Sequence, residues 1–321
     1  MRRNNIIALT LVVFSSLLCL FLLEMSLHFY ATAILKQSRI LTIDNVTGWK
    51  LRPNLDVTRM NSNSHPWRIV TDQNGNRFIK PIKFQHAKLL IIGDSFVFGE
   101  GINIEERFDN KIELNNRSII NTGVMGYGPL QQFLASRQYL EQLTEKDFVL
   151  IVTYVNDFYD VQYKFHSGRS KPWPTLNTNQ FEIHYPNIDW WQRLRNKSYL
   201  LAKLHTIVNT MPTLPQINIE YSIELYTRVI EEILDTKKER NFGLAIMLHG
   251  VPVLNNETIE QTITQGVKQF CTSRSVNCLF FDEHINYEKN QEFFLNDGHW
   301  NVNGHEAVAS FLNQKLFGSL K

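Results

Sequence analysis

Residues 87–101 read AKLLIIGDSFVFGEG. Leu89 to Ile92 is an unbroken apolar run, the pattern of a strand buried on both faces of a parallel sheet. Gly93 ends the run, and Asp94 and Ser95 follow at once. Open α/β sheets bind their ligands beyond the C-terminal ends of the strands, so a serine at this point faces the crevice. Gly93 lets the chain turn sharply, and the Asp94 carboxylate can accept the N–H groups of the turn. Alone, Gly-Asp-Ser is also ordinary turn chemistry.

A second stretch lifts the tripeptide above turn chemistry. Residues 295–305 read LNDGHWNVNGH, with Asp297 two residues before His299. A serine nucleophile needs a base, and the base needs a carboxylate on its far nitrogen. Asp297 and His299 supply both. A metal site at the same pair is disfavoured, because further ligands at suitable spacing are missing.

Gly93-Asp94-Ser95-Phe96 resembles the first block of the GDSL, or SGNH, hydrolases. Asp297-Gly298-His299-Trp300-Asn301, followed by Gly304, is similar to their last block. The resemblance covers residues 85–318. It implies an ester hydrolase that needs no cofactor, with Ser95 as nucleophile, His299 as base and Asp297 as its acid. Gly126, in the run Thr122-Gly123-Val124-Met125-Gly126-Tyr127-Gly128-Pro129, stands where the second block has its glycine. Asn156, in Val155-Asn156-Asp157, stands where the third block has its asparagine. The resemblance thus implies an oxyanion hole of Ser95, Gly126 and Asn156. The chain departs from the pattern at Val155, where the family has glycine, and at Trp300, where it has proline. The acid also stands two residues before the histidine, the position three before being Asn296. That spacing is similar to membrane-linked SGNH esterases and polysaccharide O-acetyltransferases.

The rest of the chain reads as alternating strands and helices. Ser118–Asn121, Phe148–Tyr154, Leu244–Leu248 and Val276–Phe281 are strand-like; Gly128–Leu143, Ile219–Glu239, Glu257–Thr272 and Val302–Phe317 are helical, and Asn103–Asn115 reads as a helix with a mixed face. Five strands with intervening helices predict an α/β fold, a flavodoxin-like three-layer sandwich on a parallel sheet. Residues 158–217 interrupt the alternation with aromatic and basic side chains. This insertion suits a sugar or an anionic glycan. A core-packing helix near 190–208 is the plain alternative, and an interfacial role is a third, Trp190 and Trp191 being belt residues.

Met1-Arg2-Arg3 is basic, and Ile6 to Leu23 is apolar apart from Thr10, Ser15 and Ser16. That run approaches a bilayer span, and the arginines keep its start in the cytoplasm. A signal anchor with stalk over 1–36 is the preferred reading, with the bulk of the chain on the periplasmic or extracellular side. The rival is secretion after cleavage of a leader. Residues 37–86 read as a β-rich preface: Trp67–Val70 is strand-like, Asn74-Gly75 is a hairpin signal, and Arg77, Phe78 and Ile79 form the return strand. Residues 87–321 are then the hydrolase domain.

The chain of 321 residues is 43% hydrophobic and 20% charged, and its net charge of +2 argues against a nucleic-acid partner. Three cysteines are too few for a disulfide framework. Cys271 and Cys278 are close enough in sequence to pair, or they are two buried thiols. Three functions follow in order: a serine esterase removing short acyl groups from an envelope carbohydrate or lipid, an O-acyltransferase in which a glycan hydroxyl replaces water, and a non-catalytic glycan-binding envelope protein. Nothing in the sequence fixes the oligomeric state.

Overall fold

The structure, a computed structural model, describes residues 2–35, 38–77, 87–113, 117–177, 180–208, 217–250, 257–284 and 290–318. The chain divides into two compact units, Ile40–Asn187 with Gln216–Lys321, and Met1–Arg39 with Ile188–Pro215.

The first of these opens with two hairpins. β1 (Leu41–Asp44) pairs antiparallel with β2 (Gly48–Leu51), and β3 (Asp56–Met60) with β4 (Pro66–Val70). Of the return strand expected after Asn74-Gly75, only Arg77 lies among the described residues, and it is in no strand. Val70 lies opposite Asp56, and the Asp72 carboxylate instead ties residues 72–76 into a closed turn by accepting from Asn74 and Asn76 N–H. Phe78 and Ile79 lie outside the described residues.

The central sheet is built from β5 (Ala87–Ile92), β6 (Arg117–Asn121), β7 (Phe148–Tyr154), β12 (Gly243–His249) and β13 (Asn277–Phe280). All four pairings are parallel, in the order β13-β12-β7-β5-β6. Counted along the sheet's own strands this is 2-1-3-4-5, the flavodoxin-like order, whose switch point lies at β5 and β7. The apolar run that marks β5 is fully interior, Leu89 to Ile92 being at most 1% exposed. Each such side chain contributes about 1.5–3 kcal/mol by leaving water.

Helices cover both faces. On one side α3 (Pro129–Leu140), α7 (Ile219–Arg240) and α8 (Glu257–Arg274) bury Phe133, Tyr226, Ile230 and Val267 against Leu90, Ile92 and Ile151. On the other, α10 (Val302–Leu312) buries Val308 and Leu312 against Leu89, Ile91 and Met247. Short helices α2 (Ser95–Phe98), α4 (Asp157–Asp160) and α9 (Asn290–Phe293) sit in the connections. The helix expected over Asn103–Asn115 does not form over its described residues, 103–113. Two short 3-10 turns, Ile104–Glu106 and Phe108–Asn110, stand there instead, because Arg107, Phe108 and Asp109 are all drawn into the interior.

The insertion supplies two further hairpins to this unit, β8 (Phe165–His166) with β9 (Arg169–Ser170), and β10 (Trp173–Asn177) with β11 (Gln180–His184). Cys271 and Cys278 form a disulfide, and Cys19 is free and exposed.

The second unit holds α1 (Arg2–Phe29), prolonged by a wider turn to Ile34, and α5 (Trp190–Lys197) and α6 (Tyr199–Val208). Asn5–Ile34 is long and apolar enough to cross a bilayer; its most apolar 18-residue window has a mean hydropathy of 2.9, and none of that window is buried.

Candidate active site

The loop after β5 owes its shape to its glycine. A Cβ on Gly93 would lie 2.4 Å from Val97 Cγ2 and 3.0 Å from the main-chain oxygen of Val152, so no larger residue fits. Asp94 then caps α2, its Oδ1 accepting from Phe96 N–H at 2.9 Å. Ser95 becomes the first residue of that helix, where a main-chain N–H has no intrahelical acceptor. None is found for it among the described residues.

His299 arrives from the other end of the chain. His299 Nε2 lies 2.9 Å from Ser95 Oγ, 204 residues away in sequence. On its far side Nδ1 lies 3.1 Å from Asp297 Oδ1, but the ring N–H does not aim squarely at that oxygen, so the contact is bent. Asp297 also accepts from the His299 main-chain N–H at 3.3 Å. The short acid-to-histidine spacing explains the bend, since one carboxylate serves both the backbone and the ring.

Burial opposes charge on His299, but Asp297, Glu100 and Asp94 outweigh it and hold the imidazole above its ordinary 6.5. Bonding to His299 holds the Asp297 carboxyl below the usual range. Burial pushes Asp94 up to about 6 against the bonds from Phe96 and Asn156. Burial raises Glu100 too, and its Oε2 has no partner among the described residues.

Gly126 and Asn156 lie in the loops after β6 and β7. Gly126 has φ +72°, a left-handed conformation that favours glycine, and a Cβ there would strike His166 Nε2 at 2.7 Å. Asn156 Nδ2 donates to Asp94 Oδ2 at 3.1 Å and to Asp160 Oδ2 at 3.2 Å, so both of its protons are engaged. Its Oδ1 is buried without a partner among the described residues. Asp160 in turn takes the buried Lys171, whose Nζ donates to the Asp160 main-chain oxygen at 2.7 Å. His166 Nδ1 lies 3.7 Å from Asp160 Oδ1.

Several supporting residues carry no motif. Arg77 Nη1 donates to the main-chain oxygens of Phe98 and Gly99 at 2.8 and 2.9 Å, and Nη2 to that of Ile102 at 2.7 Å. It thereby fixes the end of α2, and burial, with Arg107 close by, lowers it to about 9. Arg107 meets both oxygens of Asp109 at 2.6 Å, inside the protein. Asn121 Nδ2 donates to Asp109 Oδ2 at 3.0 Å and to the Val97 main-chain oxygen at 2.8 Å. Trp300, immediately after His299, is fully buried against Phe96 and His249, with ring centroids 4.9 and 4.4 Å away. It packs under the loop and does not wall a pocket.

The preface reaches the same site. Asn61 Nδ2 donates to the Gly101 main-chain oxygen at 2.9 Å, Asn63 Oδ1 accepts from Asn296 N–H at 2.8 Å, and Ser62 Oγ accepts from Asp297 N–H at 3.3 Å. The tip between β3 and β4 therefore holds the loop that carries Asp297.

No family model matches the chain, and no curated protein matches it. Among solved structures, a member of the lipolytic protein G-D-S-L family from Veillonella parvula DSM 2008 is similar over 72% of this chain and 98% of its own, at 10% identity and TM-score 0.44. The lipase Lip_vut3 from a goat rumen metagenome is similar over 73% of this chain and 100% of its own, at 13% identity and TM-score 0.45. The psychrotrophic esterase EstA from Pseudoalteromonas sp. is similar over 73% and 98%, at 14% identity and TM-score 0.42.

Proposed function

We propose that the protein is a serine ester hydrolase of the GDSL, or SGNH, type. It removes short acyl groups from an envelope carbohydrate or lipid, and α1 holds it at a membrane. The observation that carries this reading is the 2.9 Å approach of His299 Nε2 to Ser95 Oγ at the switch point of the sheet. A glycan-binding protein has no use for a hydroxyl paired with an imidazole that a carboxylate in turn attends.

The chemistry follows from the geometry. His299 takes the proton of Ser95 as Oγ attacks the ester carbonyl, and Asp297 stabilises the imidazolium that forms. The N–H groups of Ser95 and Gly126 receive the oxyanion, the arrangement that usually contributes most to such reactions. Asn156 joins them by giving up one of its two carboxylate bonds, and until then it keeps Asp94 and Asp160 apart. His299 next protonates the leaving alcohol. A water, activated by the same imidazole, attacks the acyl-enzyme and releases the acid and Ser95.

Residues 1–36 act in this reading as anchor and stalk, 37–86 as preface and 87–321 as the catalytic region. The Cys271–Cys278 disulfide supports a location outside the cytoplasm. The test is hydrolysis of p-nitrophenyl acetate by the full chain and by Ser95→Ala, with circular dichroism to verify folding. Loss of activity in a folded variant is expected, and full retention would remove Ser95 from the chemistry.

A further inference from the structure

The N-terminal helix is bound to its own unit by specific side-chain contacts. Glu24 of α1 caps α6: its carboxylate accepts from Tyr199 N–H and the Ser198 hydroxyl at 2.7 Å and from Leu200 N–H at 2.9 Å. A carboxylate there satisfies donors that the helix leaves open and meets the positive end of its dipole. His28, one turn further on, meets the Tyr199 ring edge-on at 5.0 Å. Beyond the helix, Arg39 donates to the main-chain oxygen of Asn196 at 2.6 Å, and its guanidinium lies 3.9 Å over the Tyr199 ring. A leader destined for removal has no reason to cap a helix 175 residues further along the chain. These bonds favour a retained helix.

The same bonds fix a depth. Ile6–Leu23 extends about 27 Å at 1.5 Å per residue, close to the ~30 Å of bilayer hydrocarbon. Glu24 then falls at the outer boundary, and the start of α6 with it. There α5 presents Trp190 and Leu194, one turn apart and exposed, and α6 presents Leu204 and Ile207 in the same way. In the other unit, the exposed large apolar side chains among the described residues are the scattered Val46, Val70, Phe165, Tyr185 and Val302. Between residues 189 and 208 the basic side chains Arg193, Arg195, Lys197 and Lys203 stand against one acid, Asp189. Aromatic and aliphatic side chains combined with positive charge, beside the end of an apolar helix, match the outer face of a bilayer with anionic headgroups.

We infer that α5 and α6 lie in the membrane interface and form, with residues 24–35, a collar whose partner is an anionic phospholipid surface. This rests on α1 being a retained anchor, and it adds a second attachment that a bare anchor lacks. The collar is amphipathic, so it lies along the surface and does not cross it.

The experiment uses the full chain in vesicles of phosphatidylcholine and phosphatidylglycerol whose acyl chains are brominated near the glycerol or near their ends. Trp190 and Trp191 are two of six tryptophans. Bromine near the glycerol is expected to quench the parent, and the Trp190→Phe/Trp191→Phe variant is expected to lose that quenching. Equal quenching of parent and variant would overturn the collar. Adding Phe14→Trp to the double variant separates the two readings, because it places a reporter indole in the middle of α1. Quenching of that reporter by chain-end bromine, with none at Trp190 and Trp191 in the parent, leaves the anchor standing and sinks the collar. No quenching of the reporter sinks both. Glu24→Ala should speed amide exchange at Tyr199 and Leu200 about fivefold through loss of the cap. Unchanged exchange would dissolve the joint on which the collar depends.

Discussion

Ser95 and His299 meet at one bond but are supported in opposite ways. On the Ser95 side everything is interior. Gly93 is wedged against Val97, Asp94 is 1% exposed, and Arg77, Arg107, Asp109 and Asn121 bind the backbone of α2 and its surroundings from within. On the His299 side Asp297 has 41% of its side chain exposed, and its loop is pinned below by Trp300 and above by the Ser62–Asn63 tip. The place of Ser95 is therefore a property of the core, and changing it costs stability. The orientation of His299 is a property of a surface loop, and under the proposed chemistry changing it costs rate.

The contrast can be broken in order of expected effect. Ser95→Ala should lower ester hydrolysis by at least about 10⁴-fold with an unchanged melting temperature, and steady-state kinetics beside calorimetry check both. Arg107→Leu leaves Asp109 charged and buried without its bidentate partner, which should cost about 3–5 kcal/mol of stability. Urea unfolding measures it, and a loss below about 1 kcal/mol, the ordinary cost of a point substitution, would show that the interior network is not what fixes α2. Asp297→Asn should cost about 10²-fold in kcat/KM, less than for a linear triad bond, because the contact is bent and half-exposed. Only neutral His299 can accept the Ser95 proton, so activity falls as pH drops through its pKa. Burial opposes charge but the carboxylates outweigh it, which puts the midpoint of that acid limb above 6.5. Since Asp297 is the chief cause of the rise, Asp297→Asn should move the midpoint down. Asn63→Ala, the mildest change, should lower kcat about fivefold with little loss of stability, through a looser loop.

The sequence made the strand before Ser95, the place of Ser95 beyond its C-terminal end and the flavodoxin-like parallel sheet of five strands legible, because apolar runs and turn residues carry them locally. It also paired Ser95 with His299 on chemistry alone. It misread Asn103–Asn115 as a helix, because Arg107 and Asp109 look like a solvated face until Asn121 and Arg77 arrive from elsewhere in the chain. His166 and Glu100 were invisible for the same reason: a lone histidine in an insertion and an acid beside glycines carry no periodic signal. The second residue of a buried charge pair can be read only from the fold.

The most direct measurement is covalent labelling of the native full chain with a fluorophosphonate, followed by mass mapping of the adduct. A single adduct on Ser95, slowed strongly by His299→Gln, is the predicted result. An active protein whose adduct lies on another residue, or which reacts equally fast without His299, would contradict it.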